Sequence, residues 1–425
     1  MERLNIYIEK MGEPILVGAI TYTSVQDAKF SYDKKYLALH DARAISINLP
    51  LQEEAFASER TKIFFEGLLP EGFIRRSMAQ RMRVQEDDYL SILSVLGSEC
   101  LGALLVLKDG EHAPRPSYEE LGIEQIKNLA EEGTSKSIEL ITAAHLSLTG
   151  ASGKVGLYYN GKNWFLPMGT APSNHIVKQS HIRLKEIVTN EQLCQLTAMK
   201  LGILCPQSFI VNTGKAREDE LLFATERFDR VTDSSSPVLD GQRVPYRLHQ
   251  EDFAQALGIS AARKYEQAGE HYLAKMMSVL RNYSARPLDD QLKLWDLVVY
   301  NYLVGNTDNH LKNHSLLYNK ELKGIRLAPA YDMLSTCIYK GTSTEFGISI
   351  GGKTFREAMT REDFLNEAND ALGIGTKIAM KHFDKLANDF EAALNEATRE
   401  LLDKGFPQAS NIREKILRSQ APSEN

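Results

Sequence analysis

The chain has 425 residues, 50 Lys and Arg against 56 Asp and Glu, a formal charge of −6 and 43% hydrophobic content. With 25% charged and 8% aromatic residues it lacks the apolar poverty of disordered chains, and its length allows roughly two to four domains of about 100–200 residues. The mild acidity excludes a surface that tracks nucleic acid throughout, because phosphate binding is driven by Lys and Arg; a local basic patch is still allowed. Cys100, Cys194, Cys205 and Cys337 form no C-x-x-C pair, so neither a zinc ribbon nor a disulfide framework is signalled. No leader-like apolar segment follows Met1, and no run approaches the roughly 18 apolar residues of a spanning helix. These features predict a soluble cytoplasmic protein with no membrane contact.

In chain order, strands are expected at Leu4–Ile8 and Ile15–Thr21, then a helical middle, then a strand at 102–107. This makes residues 1–110 a small α/β module. Arg75, Arg76, Arg81 and Arg83 read as a solvated helix face rather than a binding patch. Pro114 and Pro116 mark a boundary near residues 109–140. Strand patterns follow at Lys154–Tyr159 and Asn163–Leu166 around Asn160-Gly161-Lys162, a hairpin signal, because Asn-Gly accepts positive φ. Further strands are expected at His175–Gln179, 207–212 and 221–225, with a helix near 192–201. From about Glu251 the pattern is almost entirely helical. Pro287 stands at a helix start, and Leu292, Leu294, Trp295, Leu297, Val298, Val299 and Leu303 make that helix the buried spine of its half. Phe364–Lys404 reads as amphipathic helix.

The sharpest chemical feature is the run Asn306-Thr307-Asp308-Asn309-His310-Leu311-Lys312-Asn313 after the apolar helix. Asp308 and Asn313 stand five apart, the separation of the catalytic Asp and the metal-binding Asn in the protein-kinase loop. A short irregular loop after a buried helix can aim one carboxylate at an attacking hydroxyl while an amide oxygen reaches a magnesium ion. A second acid, Asp332 in Ala330-Tyr331-Asp332, can hold the same ion, because Mg²⁺ prefers one or two carboxylates plus substrate phosphates. Taken singly, Asp308 reads equally as a turn residue and Asp332 as a helix cap. His310 is expected to brace the loop by hydrogen bonding rather than to ligate a metal. Thr149-Gly150-Ala151-Ser152-Gly153-Lys154 is a small-residue loop whose backbone can approach phosphates, but it is not a Walker A loop, and a simple turn is an equal reading. Lys178, in mid-strand, is either a phosphate-pairing lysine or a solvent-facing one.

As a set and in this order these motifs resemble the HipA family of serine/threonine kinase toxins. The resemblance runs over nearly the whole chain: Leu49-Pro50-Leu51-Gln52, Leu68-Leu69-Pro70, 147–154, His175–Lys178, Glu226-Arg227-Phe228-Asp229-Arg230, His249-Gln250-Glu251-Asp252, Asp308–Asn313 and Tyr331-Asp332. It implies an α+β, bilobal kinase-like fold with a strand-rich N-terminal half and an all-helical C-terminal half. The expected division is 1–110 for the module, 111–247 for the nucleotide-binding lobe and 248–425 for the helical catalytic lobe. It also implies the cofactors ATP and Mg²⁺. Asp308 would be the catalytic Asp, Asn313 and Asp332 the metal ligands, and Lys178 the ATP-phosphate lysine. Glu226 and Phe228 would supply backbone contacts to adenine, Thr149–Lys154 the phosphate loop, with His310 and Lys312 also on the cofactor side. Ser147 matches the autophosphorylated serine, where a phosphate would add about −1.5 to −2 charge and expel the loop. Where the family often has Gln-Glu before the loop lysine, this chain has Ser152-Gly153, which predicts a more flexible loop.

The implied partners are a protein substrate, such as an aminoacyl-tRNA synthetase, and a HipB-like helix-turn-helix antitoxin through which most DNA contact would pass. Two other function classes compete: a small-molecule or lipid kinase on the same scaffold, because D-x-H-x-x-N also resembles the phosphoinositide-kinase loop, and a catalytically silent corepressor.

Overall fold

Leu4, Ile6 and Ile8 are buried and alternate with partly exposed neighbours, the period-2 pattern of a strand with one face on a core. They lie on β1 (Glu2–Lys10), which pairs antiparallel with β2 (Glu13–Tyr22) and, on its other edge, with β4 (Leu104–Lys108). With β3 (Lys29–Tyr32) the sheet order is β3-β2-β1-β4. Four helices lie between β3 and β4, and two of them, Ser58–Glu66 and Tyr89–Leu96, bring Phe64, Phe65, Leu93 and Leu96 into the core. Asp88 caps the second, its carboxylate accepting from Ser91 N at 3.0 Å. The computed structural model describes residues 1–144, 153–181, 183–370, 373 and 375–420.

By contacts the chain forms two units: Met1–Gln179 with Ala224–Ala261 and Leu317–Gly324, and Ser180–Phe223 with Ala262–Leu316 and Ile325–Asn425. In the first unit a further antiparallel run is ordered β5-β7-β6-β8, built from β5 (Ser117–Leu121), β6 (Lys154–Tyr159), β7 (Trp164–Met168) and β8 (His175–Gln179). The β6–β7 hairpin turns where Asn-Gly predicts it: Gly161 has φ +93°, and Asn160 Oδ1 accepts from Asn163 N at 2.8 Å. β5 is a strand that the sequence pattern did not reveal, because Ser117-Tyr118-Glu119-Glu120-Leu121 reads equally well as the start of a helix.

The N-terminal sheet and its helices are fastened inside this unit by buried ions rather than by apolar packing alone. Glu99, fully buried, pairs with Arg227 (3.1 Å), Arg230 (2.9 Å) and Arg247 (2.7 Å). Asp229 pairs with Arg227 and Arg230, and Arg247 reaches Glu9 at 2.8 Å. Burial alone would push the Glu99 carboxyl up, but the three guanidinium groups hold it at about 2. The His249-Gln250-Glu251-Asp252 run serves the same fastening. His249 Nε2 bonds Ile45 O, Gln250 donates to Asp229, and Asp252 caps the helix Phe253–Leu257. Glu251 accepts from Ser46 Oγ, Ile47 N and Tyr318 OH, and burial lifts its carboxyl to about 7.

The second unit is dominated by helix. Its spine, Pro287–Val304, starts with Pro at the first position, as expected. Trp295 donates to Ala379 O and Tyr300 to Cys194 O, tying the spine to the helices Thr376–Asp403 and Ile187–Lys200. The amphipathic stretch from Phe364 is two helices, Arg361–Asp370 and Thr376–Asp403, with Gly373 and Gly375 at positive φ between them. The C-terminal half also holds short strands at Ile325–Leu327, Glu345–Ile350 and Lys353–Phe355, so it is not helix throughout. At three to six residues they are too short to show a period-2 signal. Among the described residues no helix is long and apolar enough to cross a membrane.

Candidate active site

The spine helix stops at Gly305, whose left-handed φ of +73° lets its N–H reach Asn301 O and Tyr302 O. A Cβ there would meet Arg356 and Cys337 at 2.9 and 3.1 Å, so only glycine fits both the turn and the space. The Gly305 carbonyl in turn accepts from Thr336 N and Cys337 N, each at 3.0 Å. The chain therefore leaves the helix already anchored to the segment that follows Asp332.

The loop is then pinned almost residue by residue. Thr307 N donates to Thr336 Oγ1 at 2.7 Å, and Thr307 O accepts from Gly347 N at 3.0 Å. Asn309 Oδ1 meets His314 Nε2, and Leu311 N donates to Lys264 O at 3.2 Å. Tyr331 OH donates to Lys312 O at 2.9 Å and meets Ser315 Oγ at 2.7 Å, while Asn306 Nδ2 reaches Asp332 O at 3.4 Å. These bonds bring the Asp308–Asn313 loop and the Tyr331-Asp332 segment into one locality.

Asn313 Nδ2 donates to the Asp308 carbonyl at 2.7 Å. A carbonyl only accepts, so the amide nitrogen is committed there and the amide oxygen is the atom left for a cation. Asp308 itself keeps its carboxylate 47% exposed, in contrast to its neighbours. His310 is buried, its ring edge-on to Tyr265 with centroids 4.9 Å apart and its Nε2 3.9 Å from Asp308 Oδ1. Burial, then the nearby Lys264 and Lys312 ammonium groups, push the His310 imidazole well below its ordinary range, so it is neutral. His314 is likewise pushed down, to about 4, by burial. Asp332 sits at φ +56°, a conformation that Asp tolerates better than most side chains. Among the described residues no three His, Cys, Asp or Glu side chains gather as a metal cage. The oxygen donors of Asn313 and Asp332 suit a hard cation that keeps water and phosphate in its remaining positions.

The other expected site residues lie in the first unit. Lys154 and Lys178 face each other directly across the β6–β8 pair, placing two ammonium groups on one face of neighbouring strands. Gly153 precedes β6 with no room for a side chain: a Cβ would lie 2.7 Å from both Gln179 Oε1 and Thr134 Oγ1. Close approach is what this glycine provides; the loop expected to be flexible lies, from Thr149 to Ser152, outside the described residues. Glu226 is exposed and Phe228 half-buried, while the alternate Arg227 and Asp229 point into the ion cluster. Ser147, Thr149, Gly150, Ala151 and Ser152 lie outside the described residues.

Two contributors escaped the sequence reading. Tyr265 donates its phenol to Asp308 Oδ1 from 43 residues away. Gly347 packs against the loop so closely that a Cβ would lie 2.5 Å from Asn309 O. No spacing rule connects either position to the loop.

Residues 146–394 match the family model described as HipA-like C-terminal domain, and residues 5–107 match the HipA N-terminal domain. The Sinorhizobium fredii protein Y4mE is 30% identical over 396 residues, covering 91% of each chain. The serine/threonine-protein kinase toxin HipA of Shewanella oneidensis is 24% identical, covering 90% of this chain and 87% of its own. The fold is shared with the solved structure of Shewanella oneidensis HipA with HipB and operator DNA, at a TM-score of 0.79 and 21% identity, over 98% of this chain and 96% of that one.

Proposed function

This chain belongs to the HipA family, and on that premise we propose that it is a cytoplasmic, Mg-ATP-dependent serine/threonine protein kinase acting as the toxin of a toxin–antitoxin pair. The observation that carries the reading is the committed Asn313 amide beside the exposed Asp308 carboxylate. One loop thereby offers a ligand oxygen for a cation and a carboxylate for a hydroxyl. The proposed division is 1–110 as an N-terminal module, 111–247 for nucleotide binding and 248–425 for catalysis.

Asp308 accepts the hydrogen bond of the attacking serine or threonine hydroxyl, orients it and takes its proton late. Asn313 and Asp332 would hold magnesium. Lys178, Lys154 and the Thr149–Gly153 backbone would hold the phosphates, with Lys312 and neutral His310 lining the cofactor side. Glu226 and Phe228 would present backbone groups to adenine. Mg-ATP, when bound, supplies the transferable phosphoryl group and neutralises the charge that develops on it. Little covalent work is left to the chain, so positioning and electrostatics dominate. Ser147 is the proposed autophosphorylation site, a translation component such as an aminoacyl-tRNA synthetase the proposed substrate, and a HipB-like DNA-binding antitoxin the proposed partner.

The test is phosphosite mass spectrometry and γ-labelled ATP transfer with the full chain, wild type against Asp308→Asn, alongside growth on expression. Labelled protein and growth arrest that both vanish in the variant are expected. ATP binding without transfer, with equal growth inhibition by both forms, overturns the reading in favour of a silent corepressor; label found only in a lipid or small molecule redirects it to that substrate class.

A further inference from the structure

Three contacts fix the backbone around Tyr265. Arg263 O accepts from Tyr272 OH at 2.7 Å, Lys264 O accepts from Leu311 N at 3.2 Å, and Glu266 N donates to Gly347 O at 2.9 Å. Glu266 is held again through its carboxylate, which accepts from Ser349 N and Ser349 Oγ. From this fixed segment the Tyr265 phenol donates to one oxygen of Asp308, and its ring stands edge-on to buried His310 at 4.9 Å. A carboxylate on a half-exposed side chain otherwise samples several rotamers, and each wrong rotamer is a misaligned base.

We propose that Tyr265 is a positioning residue for phosphoryl transfer: it holds Asp308 by Oδ1 so that Oδ2 faces the acceptor hydroxyl. The inference rests on the kinase reading above and adds a residue to it. A phenol serves this role better than a lysine would, because it donates one hydrogen bond without adding a positive charge that would compete for the carboxylate. The pinned backbone makes the contact a standing part of the site rather than a gate, since a gate requires a segment free to leave. The His310 ring, edge-on at 4.9 Å, supplies a wall against which the phenol packs.

The experiment uses the full chain with γ-labelled ATP and magnesium, reading transfer to the chain itself and to water under single-turnover conditions, and nucleotide affinity by calorimetric titration. Tyr265→Phe keeps the ring against His310 and removes only the donor. Its expected signature is a fall of about tenfold or more in the transfer rate, ATP affinity within about twofold, and an unchanged melting temperature. In an Asp308→Asn background the same substitution should add nothing to the loss. Wild-type transfer rates in Tyr265→Phe, with Asp308→Asn inactive, overturn the inference and leave the kinase reading standing. Equal loss of ATP affinity and rate also overturns it, by making Tyr265 part of nucleotide binding. If wild type transfers no label to any acceptor, the kinase reading fails and the inference with it.

Discussion

The Glu99 cluster and the Asp308 loop are both built from charged residues, and they treat charge in opposite ways. In the cluster, Glu99, Arg227, Asp229 and Arg230 are buried and every carboxylate meets at least two guanidinium groups. In the loop, the Asp308 carboxylate stays nearly half exposed, and the buried groups around it are mostly histidines, threonines and asparagines, with the Lys312 ammonium among them. The cluster uses charge to fix geometry, at the cost of desolvation that only complete pairing offsets. The loop fixes its backbone largely with uncharged hydrogen bonds and keeps the Asp308 carboxylate partly in solvent, as the proposed chemistry requires. On the proposed reading, stability and reactivity fall to different residues, and mutations should separate them.

The largest stability effect is expected from Arg227→Met, which strands Glu99 and Asp229 without one partner each. About 3–5 kcal/mol should be lost in denaturant unfolding, and a loss below about 1 kcal/mol would break the contrast. Acid should act on the same cluster. The Glu99 carboxyl lies at about 2 in the folded chain against an ordinary 4.5, so its contribution is complete above about 4.5 and disappears as pH falls toward 2. Glu251 gives the opposite sign. Lifted to about 7, it favours folding in its protonated form below about 4.5, and that contribution is lost as pH rises through 7. Urea midpoints from pH 3 to 9 should therefore fall at both ends, and Glu251→Gln should flatten the upper limb alone.

Gly347→Ala tests the loop from its packed side. The new methyl collides with the Asn309 carbonyl, so about 1–3 kcal/mol of strain is expected, together with reduced transfer as the loop shifts. The smallest stability change belongs to Asp308→Asn: within about 0.5 kcal/mol, because its side chain is half in solvent, yet with transfer reduced about 10²–10⁴-fold. Unfolding curves that overlay beside a lost activity would sharpen the contrast most.

Legibility in the sequence followed the same division. The Asp308–Asn313 spacing, the Pro287 helix start and the Asn160-Gly161 hairpin were readable because each is enforced by bonds between near neighbours. The Glu226–Arg230 run was readable as a motif, but not what its inward residues do, because Arg227 finds Glu99 from 128 residues away. Gly153 and Gly347 are short of space only in three dimensions, and a lone glycine gives no sign of that in a sequence. Tyr265 was missed for the same reason, since its contact to Asp308 depends on backbone bonds at residues 263, 264 and 266 that no local pattern announces.

The bond from Asn313 to the Asp308 carbonyl also bears on how this position can change over evolutionary time. A divalent cation alone would favour aspartate at 313, for the extra negative charge. An ionised aspartate has no N–H to give, so it would set two oxygens against each other at 2.7 Å and release the turn. On the proposed metal role, position 313 therefore needs the donor as much as the ligand oxygen, and substitution there is closed in the direction that electrostatics alone would recommend.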